Sequence, residues 1–444
     1  MKIQLLDTLR FELKKLVHKP LKVGIISVGY PEEGKNVNSG GSVYPYYLAR
    51  ELARLGVEVH VFCKGDKQYI KKEYVEEGKL IIHRIKVKIE VPIEDPLIAS
   101  HMSNFIFDNK LIEELTKENK KEKFNIINSN GGLTGGTFIA KYFNNVKWIN
   151  TIHLLEKNRQ KFFTSEQKRY LNIFNWVEST IREADALISV SNHTREEMIK
   201  TYKVEPSKIF YIPNGIDPEI FNNKDAKKEK VISYVGRFSL EKGIENIPII
   251  IQRLLQKDSN INFEIVAADK GVTIPSSLLE TQKEFERLVE KYPEKIKWHR
   301  ECLSRKDLAE IFKKSIITIQ PSKYEAFGMT VLEAMACGAV PVTSNRGGLP
   351  EVVGNAGIVL PLNINLFVRN ILKLAEDYKL RERYARRGLK KVENFTWNKI
   401  ARQIYDLYKV VSRFKENKNN NSAEALNSLE ELHKKDIWEQ ENEK

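Results

Sequence analysis

Glu325 and Glu333 stand eight positions apart around the start of an expected helix, and two carboxylates so placed can hold the hydroxyl groups of a ligand. An apolar run of strand length, 316–319, is ended by Pro321, and 329–336 has the composition and apolar spacing of a helix. The unpaired amides of a helix start favour phosphate, and here they belong to Ala326, Phe327, Gly328 and Met329. A phosphate between two carboxylates suits a nucleotide-diphospho-sugar, which carries hydroxyl groups on both sides of its diphosphate.

A second set of charges follows another apolar run, 231–235. Arg237 comes directly after Gly236, and Lys242 comes directly before Gly243. Two cations five residues apart on a strand-to-helix loop, with glycines beside them, can converge on a diphosphate. Such spacing alone more often marks solvated loop charges, so this prediction needs the wider sequence pattern.

The elements that must position these groups alternate between apolar strands and helices along the whole chain. This βαβ alternation predicts an α/β fold with doubly wound parallel sheets, in which ligands bind at the carboxyl ends of the strands. Strands are expected at 22–28, 57–63, 80–87, 124–128, 146–152, 186–190, 209–212, 231–235, 263–267, 316–319, 340–344 and 357–360. Helices are expected at 43–55, 195–200, 329–336 and 398–411, and within 367–392.

Three positions in the first half of the chain lie where such a sheet binds ligands. The amide of Gly41 opens a helix and can face a phosphate, although glycine pairs also make ordinary turns. His153 follows strand 146–152, where a lone histidine is more often a structural hydrogen-bonding group. Ser191 and Asn192 follow a strand, and one of them can cap the next helix. Two further glycine pairs, 131–132 and 135–136, would line an acceptor site or cap a helix, and both alternatives stay open.

The complete pattern resembles the retaining glycosyltransferases of the GT-B fold, specifically family 4. The E-x7-E spacing of Glu325 and Glu333 carries this resemblance, together with the stretches 212–217, 337–342 and 346–351. The G-R-x-x-x-x-K-G pattern of Gly236, Arg237, Lys242 and Gly243 matches as well, and the resemblance covers roughly residues 22–411. It implies two Rossmann-like doubly wound domains facing an interdomain cleft, with the donor held mainly by the second and the acceptor by the first.

The resemblance also implies a role for each candidate residue. Glu325 would hold hydroxyl groups of the transferred sugar, and Glu333 would hold the ribose. Arg237, Lys242 and the amides at 326–329 would stabilise the leaving diphosphate. Gly41, Ser191 and Gly236 would lie near the donor, and His153 would reach the transferred sugar. Hexose transfer with retention is expected, by front-face attack of the acceptor hydroxyl, without a metal or a cofactor.

The expected domain organisation follows from the same motifs and from shifts in composition. Residues 1–217 would form the acceptor domain, including an N-terminal helix at 2–17, and 218–230 would form a lysine-rich linker. Residues 231–395 would form the nucleotide-sugar domain, and 396–413 a helix that crosses back to the first domain. Residues 414–444 would form a polar tail.

Composition narrows the classes of partner and compartment. The chain has 444 residues, 41% of them hydrophobic, which is enough for two or three globular domains. Its formal charge of +14 fits an anionic substrate or a membrane surface better than nucleic acid, because lysines and glutamates are interspersed without interleaved aromatic residues. Segment 2–17 is amphipathic, so peripheral contact with the inner face of the membrane stays open beside packing on the domain.

Three widely spaced cysteines, Cys63, Cys302 and Cys337, argue against disulfide bonds and a zinc site and favour the reducing cytoplasm. No apolar stretch is long enough for a membrane-spanning helix, and the first twenty residues do not resemble a secretory signal.

Three functional hypotheses follow from these observations. The first is a hexosyltransferase acting on a hydroxyl of a glycan, a lipid-linked or a small-molecule acceptor. The second is a GT-B nucleotide-sugar epimerase or phosphorylase, which an acceptor-free conversion or a dependence on inorganic phosphate would select. The third is a non-catalytic sugar-nucleotide binder, and the intact set of Glu325, Glu333, Arg237 and Lys242 counts against it.

Overall fold

A computed structural model describes residues 20–31, 40–75, 78–89, 93–131, 135–270 and 274–413. The expected helix at 2–17 and the tail at 414–444 lie outside the described residues. Gly132 and the segment 32–39 also lie outside them. The described chain forms two compact units. The first contains the described residues up to Pro213 together with those from Trp397 onward, and the second contains residues 214–396.

The first unit is built on a sheet of eight strands within its described residues. The strands are β1 (Lys22–Ser27), β2 (Glu58–Gly65), β3 (Tyr69–Val75), β4 (Gly78–Lys86), β5 (Ile126–Asn130), β6 (Lys147–Ile152), β7 (Ala186–Ser189) and β8 (Ile209–Tyr211). Their order is β3-β4-β2-β1-β5-β6-β7-β8, and all pairings are parallel except β3 with β4. Every residue of β1 is buried, as expected for a parallel sheet covered on both faces.

Six α-helices connect these strands in the described part of the first unit. They are α1 (Gly40–Arg54), α2 (Pro96–Lys121), α3 (Gly135–Asn144), α4 (Glu156–Arg159), α5 (Ser165–Ser179) and α6 (Asn192–Tyr202). The core beneath them is dominated by large apolar side chains from strands and helices, including Phe62, Phe107, Leu111 and Trp148.

The second unit is built on six parallel strands. They are β9 (Glu229–Val235), β10 (Asn262–Val266), β11 (Ile296–His299), β12 (Ser315–Gln320), β13 (Val340–Ser344) and β14 (Ile358–Leu360). Their order is β11-β10-β9-β12-β13-β14, so the chain starts in the middle and extends first to one side and then to the other. The direction changes between β9 and β12, which makes this the topological switch point where a doubly wound sheet binds ligands.

The helices of the second unit cover both faces of this sheet. They are α7 (Ile247–Lys257), α8 (Leu279–Lys291), α9 (Arg305–Lys314), α10 (Met329–Ala336), α11 (Leu349–Val353), α12 (Ile364–Glu376) and α13 (Tyr378–Val392). The last helix, α14 (Trp397–Val411), returns to the first unit. There the buried hydroxyl of Tyr408 accepts a hydrogen bond of 2.6 Å from Asn128, and Trp397 stacks on Tyr47. None of the described helices is long and apolar enough to cross a membrane.

The expected α/β class with doubly wound parallel sheets is confirmed, and α10 has the predicted bounds. The strand expected at 124–128 begins two residues later, because the amide of Phe124 is bound by Asn119 (2.8 Å) and its ring packs on Phe62. β3 and β11 are not among the expected strands. The sequence of β3, YIKKEYV, carries three charges, which edge strands tolerate and buried strands do not.

The segment expected as a linker, 218–230, packs within the second unit. Phe221 is buried beside Phe312. The ammonium of Lys228 donates hydrogen bonds to three carbonyl groups, those of Phe312, Ser315 and Cys337, at 2.7–3.0 Å. These contacts fix the chain before it enters β9.

Candidate functional site

The switch point of the second sheet brings two of the candidate residues into direct contact. Lys242 lies on the loop after β9, and Glu325 lies on the loop after the adjacent β12. The Lys242 ammonium is 2.6 Å from Glu325 Oε2, and the two side chains are only 17% and 11% exposed. The carboxyl ends of the two central strands therefore bring together a cation and a carboxylate that are 83 positions apart in the sequence.

Main-chain contacts lock these two loops together. The amides of Lys323 and Tyr324 both donate to the carbonyl of Glu241, at 2.8 and 3.1 Å. Gly243 has φ +67°, and a Cβ at this position would lie 2.0 Å from the carbonyl oxygen of Pro321. Only glycine allows this approach, so Gly243 has a structural reason for its place beside Lys242.

The loop after β13 supports Glu325 from another side. The amide of Gly348 donates to the Glu325 carbonyl at 2.9 Å. Gly347 has φ +62°, and a Cβ there would lie 1.6 Å from the same oxygen, while one on Gly348 would lie 2.5 Å from the carbonyl oxygen of Ala326. The glycine pair thus packs directly against the backbone that carries the carboxylate.

Helix α10 begins at the far end of the Glu325 loop. Gly328 precedes it with φ +110°, and its carbonyl accepts from the amides of Val331 and Leu332 at 3.1 Å. The amides of Met329 and Thr330 come before these first helical hydrogen bonds, so the N-terminus of the helix provides main-chain donors for an anion. Phe327 is buried near Phe395, which fixes the turn.

Arg237 is paired with a different carboxylate from Lys242. Its side chain is 59% exposed, and its guanidinium lies 2.8 Å from Glu241 Oε2. Gly236 is needed locally, since a Cβ there would lie 2.9 Å from the hydroxyl of Tyr234. That hydroxyl donates to the carbonyl of Lys242 at 3.3 Å and so ties the cationic loop to β9.

Glu333 lies on α10 and is paired with a residue that the sequence motifs do not include. Its carboxylate is buried, and its Oε1 accepts a hydrogen bond of 2.9 Å from Arg305, the first residue of α9. Burial raises the pKa of Glu333, and the charge of Arg305 opposes this rise. The structure therefore pairs Glu325 and Glu333 with different cations.

In the first unit, His153 follows β6 as predicted. Its Nε2 lies 3.4 Å from Asn130 Oδ1, and its ring meets the edge of Tyr44 with centroids 4.5 Å apart. Burial lowers the pKa of His153 to about 4, so the imidazole is neutral at neutral pH and can donate only one hydrogen bond. Its role toward a sugar stays a prediction.

Gly41 and Ser191 occupy different positions in the first unit. Gly41 is exposed in the first turn of α1, and a Cβ there would meet no atom within 4 Å. Ser191 is fully buried, and its hydroxyl accepts from the amide of Thr194 at 3.0 Å. The capping role expected for Ser191 is confirmed, while contact of either residue with a donor stays a prediction.

A buried carboxylate anchors the chain that follows His153. Helix α4 has no capping side chain of its own, but Glu178 of α5 accepts from the amides of Glu156 and Lys157 at 2.7 and 3.2 Å. The hydroxyl of Tyr202 donates to the same carboxylate at 2.5 Å. Burial raises the pKa of Glu178 to about 7.

Among the described residues, one group of side chains has the spacing of metal ligands: His60, His83 and Glu118. Their nitrogen and oxygen atoms lie within 4.8 Å of one another and are buried. The two imidazoles already share a hydrogen bond of 2.9 Å, and Glu58 accepts from the other nitrogen of His60. This hydrogen-bonded chain joins the two imidazoles to Glu58, while Glu118 accepts a hydrogen bond of 2.7 Å from Lys121. The expected absence of a metal stays a prediction.

The sequence motifs do not identify Arg305, Glu241 or Glu178. Arg305 and Glu178 contact residues that are remote in sequence. Glu241 supports the Glu325 loop through its main-chain carbonyl. Arg305 had one detectable sign, a positive charge at the first position of a helix, where the helix dipole disfavours cations.

A cation, a carboxylate and a helix N-terminus at the switch point of a doubly wound sheet form an arrangement that is typical of phosphate-binding α/β proteins. Comparison with known families narrows this class. The model of glycosyl transferases group 1 matches residues 216–391, and the model of glycosyltransferase family 4 matches residues 38–220. The chain belongs to the family 4 glycosyltransferases, and the predicted GT-B membership is confirmed.

Individual relatives extend over most of the chain. Alpha-maltose-1-phosphate synthase of Mycolicibacterium smegmatis is 25% identical, covering 88% of this chain and all of the relative. Sucrose-phosphate synthase of Thermosynechococcus elongatus has a similar structure, with a TM-score of 0.72, 22% identity, and coverage of 88% of this chain and 98% of the other. Anabaena Alr3699/HepE, solved in complex with UDP-glucose, has a TM-score of 0.62, 15% identity, and coverage of 88% and 99%. The two solved structures support the fold.

Proposed function

We propose that this glycosyltransferase moves a hexose from a nucleotide-diphospho-sugar to an acceptor hydroxyl, with retention at the anomeric carbon and without a metal ion. The observation that carries the proposal is the contact of 2.6 Å between Lys242 and Glu325 at the switch point of the second sheet. A donor has a negative diphosphate next to a sugar with hydroxyl groups. One cation beside one carboxylate matches that junction.

Lys242 and Glu325 would bind different parts of the donor. Lys242 and the amides at the start of α10 would bind the diphosphate, and Glu325 would accept hydrogen bonds from sugar hydroxyl groups. Donor binding replaces the Lys242–Glu325 ion pair with these contacts, so neither charge is left without a partner. Arg237 is exposed and would join the diphosphate by exchanging Glu241 for a phosphate oxygen.

In the proposed reaction, the bond from the anomeric carbon to the β-phosphate oxygen breaks, and the nucleoside diphosphate leaves with the electron pair. The acceptor oxygen forms its bond to the same face of the sugar, and its proton passes to the departing phosphate oxygen. Lys242 and the helix amides would stabilise the charge that grows on this phosphate. Removing one such donor typically slows the step roughly a hundredfold. Glu325 would position the sugar and would not act as a nucleophile.

Metal independence rests on the same groups, because a cationic side chain and a helix N-terminus can together neutralise a diphosphate. Unchanged turnover after treatment with EDTA is the expected result. Restoration of lost turnover by Mg²⁺ or Mn²⁺ would contradict this part of the proposal.

The names of the relatives support the donor class and suggest an order for testing acceptors. One solved structure contains UDP-glucose, and two relatives are named as synthases of phosphorylated sugars. Phosphorylated monosaccharides are therefore the first acceptors to test, followed by free sugars, glycans and lipid-linked acceptors.

The test measures release of nucleoside diphosphate from UDP-, GDP- and ADP-hexoses with these acceptors. Lys242→Ala and Glu325→Ala are each expected to lower turnover roughly a hundredfold. Lys323 and Glu245 provide a matched control, since they form an ion pair of 2.6 Å from the same two chain regions and are more exposed, at 37% and 23%. Lys323→Ala and Glu245→Ala should retain activity within a few-fold, as expected for a partly exposed pair.

Turnover that survives both Lys242→Ala and Glu325→Ala would refute the assignment. Conversion of the donor sugar without an acceptor would identify an epimerase, and dependence on inorganic phosphate would identify a phosphorylase. An α-configured product formed from an α-configured donor is the expected stereochemical outcome, and it can be read directly by NMR.

A further inference from the structure

The environment of Glu333 contains an arginine to which no motif assigns a part in donor binding. Arg305 and Glu333 form an ion pair of 2.9 Å in which the side chains are only 9% and 3% exposed. Two charges removed from water in this way are costly unless their geometry is good and their remaining hydrogen-bonding capacity is used. The pair therefore needs an explanation beyond surface charge.

The hydrogen bonding of the Glu333 carboxylate is incomplete. Arg305 donates to Oε1, and no donor among the described residues reaches Oε2. Oε2 therefore keeps free acceptor capacity, and the hydroxyl groups of a ligand would supply donors to it. Burial also raises the pKa of this carboxyl group, whereas the Arg305 charge favours its ionised, acceptor-only form.

The position of Arg305 is not explained by the stability of its own helix. It is the first residue of α9, where the dipole of the helix disfavours a positive charge, and Ser304 already caps that end by accepting from the amide of Asp307. The guanidinium instead lies 4.7 Å from the centre of the Phe221 ring, which limits its orientations. Phe221 is buried, so the arginine is held from one side by an aromatic ring while it faces Glu333.

We propose that Arg305 is a positioning residue of the donor site, which holds the Glu333 carboxylate so that its second oxygen accepts from the ribose diol of the nucleotide. This proposal rests on the proposed function, because it assumes that the donor is a ribonucleotide sugar. Arg305 itself does not touch the donor. It selects for ribose by fixing the group that does.

The experiment compares the dissociation constants of a nucleoside diphosphate and its 2′-deoxy form, measured by calorimetry. UDP, GDP and ADP are screened first, and the tightest binder is used. In the wild type, the 2′-deoxy form is expected to bind roughly tenfold or more weakly, because the Glu333 carboxylate then loses a hydroxyl donor. In Arg305→Met and in Glu333→Gln, this ratio is expected to fall close to one.

The ratio separates positioning from a general loss of structure, since a merely structural defect weakens both ligands equally. Arg381→Met is the matched control in the same unit. Its guanidinium donates to the carbonyl groups of Leu374 and Ala375 on the neighbouring helix, so its loss should lower Tm and leave the ratio at the wild-type value. Arg305→Lys keeps the charge in case Arg305→Met does not fold, and it is expected to give an intermediate ratio.

Two results would overturn the inference. The first is a wild-type ratio in Arg305→Met or, should that variant not fold, in Arg305→Lys. The second is a wild type that binds both nucleotides equally. A wild type that binds no nucleoside diphosphate would instead overturn the proposed function, and with it the basis of the inference. The double variant Arg305→Met with Glu333→Gln should show no further loss of the ratio, because Arg305 acts on the hydroxyl groups only through Glu333.

Discussion

Replacing Glu178 by glutamine is expected to remove a specific pH dependence from the stability of the first unit. The Glu178 carboxylate is buried and holds the start of α4 together with the hydroxyl of Tyr202. Burial raises its pKa from the ordinary 4.5 to about 7. The folded chain therefore binds the Glu178 proton more tightly than the unfolded chain does.

The sign and size of the effect follow from this difference. A carboxyl group whose folded pKa lies above its unfolded pKa favours folding below the unfolded value, and this contribution is lost as pH rises from 4.5 through about 7. A difference of about 2.5 pH units corresponds to about 3 kcal/mol. Glutamine resembles the protonated carboxyl group in shape and charge but cannot ionise, so Glu178→Gln loses the titration. Its NH2 group cannot accept from a main-chain amide as one of the two Glu178 oxygens does, and this loss lowers stability equally at every pH.

The assay is urea unfolding of the wild type and Glu178→Gln at several pH values from 4.5 to 8. A background with Trp298→Phe and Trp438→Phe leaves Trp148, Trp176 and Trp397, all in the first unit, to report unfolding by fluorescence. The difference in unfolding free energy between the two proteins should grow by about 3 kcal/mol in favour of the variant over this range. Glu183→Gln, an exposed change at the end of the same helical segment, is the control and should give a curve parallel to the wild type. Parallel curves for Glu178→Gln would refute the reasoning.

Three further predictions concern two glycines and a histidine. Gly347→Ala places a Cβ 1.6 Å from the carbonyl oxygen of Glu325, so we expect the loop to shift and turnover to fall roughly a hundredfold; wild-type kinetics would contradict the close packing. Gly41→Ala meets no atom within 4 Å, so Tm should stay within a few degrees while the KM of the donor or acceptor rises; an unchanged KM would exclude ligand approach at this turn. His153, with its pKa lowered to about 4, should show imidazole NMR shifts that stay constant from pH 5.5 to 8, and a midpoint near 6.5 would contradict its burial.

The sequence predicts the second unit best where periodicity and motif agree. α10 has its predicted bounds because Pro321 and Gly328 interrupt the chain before a short segment of strong helix formers. β3 was not predictable in the same way, because it is an edge strand whose charged side chains do not produce an apolar run. The start of β5 depends on a hydrogen bond from the amide of Phe124 to Asn119, a tertiary detail that no local pattern contains.

The candidate site shows the same division between local and tertiary information. The motifs identify Lys242 and Glu325, and the strand order explains why residues so far apart in sequence meet. They do not identify Arg305, whose partner Glu333 lies 28 positions away on another helix. The motifs also give no sign that Arg237 and Lys242 have different environments. In the structure, the Arg237 side chain is exposed and the Lys242 side chain is mostly buried.

The interlocking of the loops after β9, β12 and β13 affects how this enzyme can be re-engineered. Only glycine at position 243 fits against the carbonyl of Pro321, and only glycine at position 347 fits against the carbonyl of Glu325. A chimera that imports the stretch 321–336 from a relative with different loop backbones would therefore meet steric clashes from two sides. Exchange of substrate preference between family members should succeed only when all three loops are transplanted together as one cassette.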